Sequence, residues 1–457
     1  MKPARPSVVC LLFGCQLVAS CLVLDRTQAA ARPSDTAVSA EAQKLNHNGL
    51  EHLKKKEYDQ AVQSFREALQ IQPEFPEALD NLGKALDGAG KDDEAVADFD
   101  KALKLAPQDA NVYADKGLAL FHEKKFDDSV TAYRKAIELH PDFAEAYNGL
   151  GAALLSQGKT DEATTALRKA VQLNPKNADA LNNLGAALLA EKRPQEAAPY
   201  LRKAHSLQPN LRDVLENYAT ALEESGQTNE AIAAYHKLAS QHPKEPGPWA
   251  RMGHLYYSSK RYQQAVDSFQ KSLALDEKQP DAVLFLGLSQ MEMGKTTDAI
   301  SSFQKCLAQK PDDFHALASL AHLYYSQKDY VKAADYYQKA LAQKPDDPDA
   351  LTGLGASQLA GNKSDEALAT YQKLLPFRPD DPNIRFNLGT AQFNKGLYQD
   401  SAASYREAIR LKPDFAHAHY NLGMALLRLN DVKAAQAEFS EAQHLDPSLK
   451  PPTASAK

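Results

Sequence analysis

From residue 42 to residue 449 the chain repeats one pattern every 34 residues, twelve times over, without an insertion. Aligned at that period, the eighth place reads Gly49, Gly83, Gly117, Gly151, Gly185, Ala219, Gly253, Gly287, Ala321, Gly355, Gly389 and Gly423, so nothing larger than alanine is accepted there. The thirty-second place is proline in every repeat but one, where Glu277 stands. A fixed period of this length is the mark of a solenoid, in which each unit buries its apolar face against its neighbours.

Residues 76–109 show what one unit must be. Leu79, Leu82, Gly83 and Leu86 fall at helical spacing, and Ala95, Phe99, Ala102 and Leu103 do so again after the break at Gly88 and Gly90. The spacing predicts two amphipathic helices joined by a short turn. Gly83 and Ala95 are expected to face each other with Phe99 beside them, and Pro107 to end the second helix.

This arrangement of small, aromatic and proline residues resembles the tetratricopeptide repeat (TPR) family across residues 42–449, and the lone tryptophan, Trp249, stands at the fourth place, where that family favours tryptophan. The resemblance implies an all-α fold, a right-handed α-solenoid of stacked helix-turn-helix repeats, expected as one elongated domain. A fold of this kind does not name a site.

The rest of the sequence bounds where the protein works. Lys2 and Arg5 precede a mostly apolar run from Val8 to Leu24, followed by Ala29, Ala30 and Ala31, which reads as an export signal over residues 1–31. Three processing outcomes stay open: cleavage after Ala31, lipidation at Cys21 within Val18-Ala19-Ser20-Cys21, or retention as an N-terminal membrane anchor. The expected location is therefore periplasmic, extracellular or membrane-anchored through the N-terminus. Loss of this segment removes three positive charges and one negative charge, taking the net charge from −6 to −8, which favours solubility and shows no nucleic-acid footprint. Only Cys306 then remains, so no internal disulfide forms, and its place in the repeat marks it as a small packing residue. Residues 32–41 read as a linker and 450–457 as a flexible tail.

Both ends of the array carry polar substitutions, as the free faces of a solenoid require. Gln436 and Gln443 replace the aliphatic residues of internal repeats, and Asn48 and His52 stand where Leu82 and Leu86 lie one repeat later. The array is expected to be complete on this ground. In the middle, Pro199 is expected to kink a second helix, His205 and Ala239 replace large aliphatics, and Pro246 and Pro248 crowd a repeat start. Packing is expected to be weakest over 194–248.

No catalytic constellation emerges, and no cofactor or metal is indicated. Ser268 with Lys271, and Ser302 with Lys305, match a Ser-x-x-Lys pattern only because repeat consensus places them so. His417 with His419, and His47 with His52, lack the spacing that sets two ligands on one helix face. His122-Glu123 has no second histidine four residues after the first, and Lys91-Asp92-Asp93-Glu94 reads as solvated carboxylates at a helix start.

What remains is surface for a protein or extended-peptide partner. In the family, first helices line the concave face through the second, fifth, sixth, ninth, twelfth and thirteenth places. The fifth place never carries the lysine that a clamp on peptide carboxylates needs. The sixth place includes Asn81, Asn183, Asn217, Asn387 and Asn421, which resembles the asparagine ladder that long arrays use to hold peptide backbone. The string HLYYS recurs at 254–258 and 322–326, as if a two-repeat unit had been duplicated. His254, Tyr257, Leu288, Met291, His322 and Tyr325 then occupy successive ninth and twelfth places and are expected to form one apolar and aromatic strip. The histidines are expected to tune affinity as pH falls through roughly 6.5. The other reading is that these rings pack on neighbouring helices.

Two functions fit this sequence. One is a noncatalytic exported scaffold for an envelope, secretion or exopolysaccharide assembly partner. The other is a substrate-recruiting subunit of a separately encoded enzyme such as a glycosyltransferase. The export reading is tested by N-terminal sequencing of the protein from its own host. A start near Arg32, or a blocked, lipidated Cys21, is expected; an intact Met1 on soluble cytosolic protein contradicts it.

Overall fold

The computed structural model describes residues 38–452, so the export signal, most of the linker and residues 453–457 lie outside the described residues. The described residues form 24 α-helices and one 3-10 turn, Leu375–Phe377, with no strand. They fall into two compact units that divide between Gln241 and His242, inside the stretch 194–248.

The first unit holds six hairpins: α1 (Ala40–Lys54) with α2 (Tyr58–Ile71), α3 (Pro76–Gly88) with α4 (Asp92–Leu105), α5 (Ala110–His122) with α6 (Phe126–Leu139), α7 (Ala144–Ser156) with α8 (Thr160–Leu173), α9 (Ala178–Ala190) with α10 (Pro194–Leu207), and α11 (Arg212–Glu224) with α12 (Thr228–Gln241). The second holds six more: α13 (Gly247–Ser258) with α14 (Tyr262–Leu275), α15 (Pro280–Glu292) with α16 (Thr296–Gln309), α17 (Phe314–Ser326) with α18 (Tyr330–Gln343), α19 (Pro348–Ala360) with α20 (Ser364–Leu374), α21 (Pro382–Asn394) with α22 (Tyr398–Leu411), and α23 (Ala416–Arg428) with α24 (Val432–Leu445). Within each unit successive first helices touch, whereas successive second helices stand farther apart. The first-helix side is therefore the inner, concave one.

Each hairpin closes on a contact that only a small residue allows. A Cβ on Gly83 would stand 2.6 Å from the Phe99 ring, and Gly253, Gly287 and Gly423 meet Phe269, Phe303 and Phe439 in the same way at 2.6, 2.8 and 2.7 Å. The sequence placed Phe99 beside the glycine; in the structure the ring lies directly on it. Phe65, Phe99, Phe269 and Phe303 are at most 1% exposed, so each ring spends its whole surface inside its own hairpin and the joint to the next. Burial of such a side chain stabilises by roughly 1.5–3 kcal/mol.

The turn inside each hairpin is equally uniform. The residue at the fifteenth place is left-handed in all twelve repeats: Lys56, Gly90, Lys124, Gly158, Lys192, Gly226, Lys260, Gly294, Lys328, Asn362, Gly396 and Asn430, with φ between 59° and 78°. The following amide closes the helix end, as Lys91 N does on Leu86 O at 2.9 Å. Lysine and glycine alternate strictly over the first nine repeats, a second sign of two-repeat units besides the repeated HLYYS string. Lysine there carries a cost of about 1–2 kcal/mol that glycine avoids.

On the outer face of the first unit, Arg66–Glu94, Arg134–Glu162, Arg168–Glu196 and Arg202–Glu230 brace consecutive second helices at 2.8, 2.9, 3.1 and 3.5 Å. These exposed pairs are worth about 0–1 kcal/mol each and fix register more than stability. Helix α10 runs on through Pro199, whose ring is exposed. Cys306 is fully buried and its thiol is pushed up to about 12 by that burial, which makes it a packing residue.

The close contact gives a direct test. Gly83→Val should cost the first unit about 1–3 kcal/mol through overpacking against Phe99. Chemical denaturation of the purified variant measures it, and an unchanged midpoint would show that the ring moves aside freely.

Candidate functional site

The six residues of the expected strip lie on α13, α15 and α17, and the structure divides them. His254 is half-buried, edge-on to Phe269 at 5.1 Å and to Phe285 at 4.4 Å. Tyr257, on the next turn of α13, meets Phe285 at 5.3 Å and Tyr262 at 5.8 Å. Phe285 thus joins α13 to α15. It stands at the sixth place, where five other repeats carry asparagine and none carries another ring but His47, and that departure was the signal in the sequence for a residue the strip omitted. Leu288 and Met291 are half-buried against the core that holds Phe303, Leu320 and Leu323. On α17, Tyr325 leans on Tyr330 at 5.5 Å, and His322 is exposed. Its neighbour Tyr324 stacks on Tyr336 at 5.5 Å and 8°, with the ammonium of Lys332 over one ring and that of Lys339 over the other, each at 5.0 Å.

The strip is therefore half core and half surface. Its histidines differ in exposure. Burial between two phenyl rings, with Arg251 nearby, pushes the His254 imidazole down to about 4, so it stays neutral through the range in which it was expected to titrate. The expected tuning near pH 6.5 fails for His254 because Phe285 covers it. Trp249 is half-buried with Lys271 Nζ 4.3 Å over its ring, a contact of the cation–π kind.

The sixth-place asparagines are engaged within the protein. Asn81 donates to Asn46 at 3.1 Å, Asn183 to Asn148 at 3.0 Å and Asn217 to Asn182 at 3.0 Å. In each case the sixth place of one repeat bonds the fifth place of the repeat before it, 35 residues back. In the second unit Asn421 donates to the Tyr405 hydroxyl at 3.4 Å. Asn81, Asn183, Asn217 and Asn421 thus each spend an N–H on a joint between repeats rather than standing as a free ladder.

Two polar clusters escaped the sequence reading because their members meet only through stacking. Asp87 on α3, Asp92 at the start of α4 and His122 on α5 bring ligand atoms within 4.8 Å of one another, and His122 Nδ1 lies 2.7 Å from Asp87 Oδ1. Asp92 is consequently not the solvated cap expected of it: burial and the Asp87 carboxylate hold its acidity weaker than usual, and one of its oxygens is buried without a partner. At the other end of the unit, His205 stacks on Tyr218 at 5.8 Å and accepts from Lys237 Nζ at 3.1 Å, above a cavity of about 300 Å³ also lined by Leu215 and Leu222. Desolvation and Lys237 depress its pKa, so it sits there neutral.

Family models for tetratricopeptide repeats match 188–255 and 324–385, 386–449, 76–109, and, as TPR repeat, 49–87, 117–158 and 153–191. Residues 239–342 match the model described as cytochrome c-type biogenesis protein H TPR domain. None of the curated proteins compared with the chain matches it. Among solved structures, the chain is similar to YrrB, described as a TPR protein with an unusual peptide-binding site, at 24% identity over 40% of this chain and 95% of that one, with a TM-score of 0.39. It is also similar to MamA from Desulfovibrio magneticus RS-1 (25% identity, 38% of this chain and 98% of that one, TM-score 0.35) and to the Cut9-Hcn1 hetero-tetramer of the APC/C (17% identity, 90% and 94%, TM-score 0.36).

His254 carries a pH signature with a definite sign. Its folded-state pKa lies below that of an unfolded histidine, so the unfolded chain takes up more protons and stability falls as pH drops from roughly 6.5 towards about 4. Melting curves should show the protein losing stability relative to His254→Phe across that window, with the difference levelling off below it. Parallel curves would show that the imidazole is not covered.

Proposed function

Since the chain belongs to the tetratricopeptide repeat family, we propose that it is a noncatalytic exported scaffold whose second unit binds a protein or extended-peptide partner on its first-helix face. The observation that carries this reading is that three successive first helices each leave apolar side chains part-exposed on one face. Phe269 and Phe303 on second helices are fully buried, whereas Tyr257, Phe285, Leu288, Met291 and Tyr325 on first helices are half-exposed. Rings and methionine sulfur that keep part of their surface in water, on the concave side of a rigid stack, supply contact area without needing to move. The strip also lies inside residues 239–342, the segment similar to a TPR domain of a biogenesis protein, which supports a role in assembly. Lys2, Arg5, the run from Val8 to Leu24 and the alanines at 29–31 support export.

The test is paired substitution, Tyr257→Ala with Tyr325→Ala, followed by affinity capture from the native host and by thermal melting. Loss of a captured partner by about tenfold or more, the scale of a single hot-spot ring, is expected with most of the melting temperature retained. A collapse in melting temperature with unchanged capture would make these rings core and overturn the reading. A captured glycosyltransferase would assign the chain to a recruiting subunit instead.

A further inference from the structure

Three of the five joints between first helices in the first unit are made by asparagine pairs. The sixth place of a repeat donates to the fifth place of its predecessor at α1–α3, α7–α9 and α9–α11. At α5–α7 those two places hold Gly149 and Ala114, and at α3–α5 they hold Asp115 and Asp80, two acceptors where the asparagine pairs supply a donor and an acceptor. Lys84, one turn along α3, fills the deficit: its Nζ lies 2.8 Å from Asp80 Oδ2 and 2.9 Å from Asp115 Oδ2. The side chains of Asp80, Lys84 and Asp115 are 3%, 28% and 29% exposed.

We propose that Asp80, Lys84 and Asp115 make a proton-operated joint between the second and third repeats: a proton on Asp115 turns it into a donor to Asp80, restoring the bond that asparagine makes elsewhere, and its loss leaves two carboxylates held together by Lys84. Step by step, the proton adds to one Asp115 oxygen, the O–H points to the Asp80 carboxylate, and Lys84 remains paired with Asp80. Protonated aspartic acid and asparagine share the planar fork that places a donor and an acceptor side by side.

The surroundings leave Asp115 to this pair. On α3 it faces Asp80 and Lys84. On α5 its neighbour Lys116 is turned to Asp100 of α4 at 2.6 Å. From α6 comes the Tyr133 phenol, which burial together with Asp115 and Asp87 keeps protonated. The ionisable residues of α7, which also packs on α5, are Glu145 and Tyr147. Burial, opposed by Lys84 and reinforced by Asp80, pushes Asp115 up to about 6, which puts the change within reach of mild acidification. Because the folded-state value is raised, the folded state holds the proton more tightly, and the joint weakens as pH rises from about 4 through 6.

The experiment uses the full chain with carboxyl-¹³C aspartate. The resonance that disappears in Asp115→Asn should titrate with a midpoint near 6, against about 4 for a free aspartate. Asp80→Asn, which removes the like charge and keeps an acceptor, should move that midpoint downward. Hydrogen exchange of α3 and α5 amides, corrected for intrinsic rates, should be about tenfold faster at pH 7.5 than at pH 5, and Asp115→Asn should abolish the difference. A midpoint near 4, or the same pH dependence of exchange in Asp115→Asn, would overturn the proposal.

Discussion

The contact between a glycine and the large side chain sixteen residues after it decides how this chain folds. Phe99 on Gly83, Phe269 on Gly253 and Phe439 on Gly423 set the separation of two helices in each hairpin by contact, and no side chain at the glycine position could be admitted without moving a buried ring. Because the twelve hairpins repeat one geometry, each needs only to match its neighbour, and stability accumulates joint by joint. The second helices supply the buried rings of this packing. The first helices, touching one another along the inner side, keep the fifth, sixth, ninth and twelfth places to vary.

That freedom is used differently in the two units. In the first unit the inner places carry asparagine pairs and the Asp80–Lys84–Asp115 bridge, which tie successive first helices through hydrogen bonds and charge. In the second the same places carry Phe285, Leu288, Met291 and Tyr325; Phe285 ties α13 to α15 through ring contacts, and all four leave apolar surface in water. A single scaffold thus presents two chemistries from equivalent positions, a division the shared consensus conceals.

Much of the fold was legible because the signals are local. The glycines, the closing prolines and the 3.6-residue spacing each report on one hairpin, and the structure places helices accordingly. What the sequence concealed were contacts across the stack. Asn81 and Asn46 are 35 residues apart and meet only when repeat follows repeat, so the asparagines looked free when they were engaged. His122 lacked a second ligand in sequence and found Asp87 and Asp92 in space. His254 was assigned a titration near 6.5 because its cover, Phe285, belongs to the next repeat. Left-handed lysines at Lys56, Lys124 and Lys260 were invisible for a different reason: nothing about lysine announces positive φ, and only the glycines and asparagines at the same place in other repeats do.

The central claim is that binding belongs to the first-helix face of the second unit, and hydrogen exchange of the chain with and without its captured partner tests it most directly. The account predicts slowed exchange concentrated in α13, α15 and α17, with α14, α16 and α18 unchanged. Protection confined to the second helices, or to the first unit alone, would contradict it.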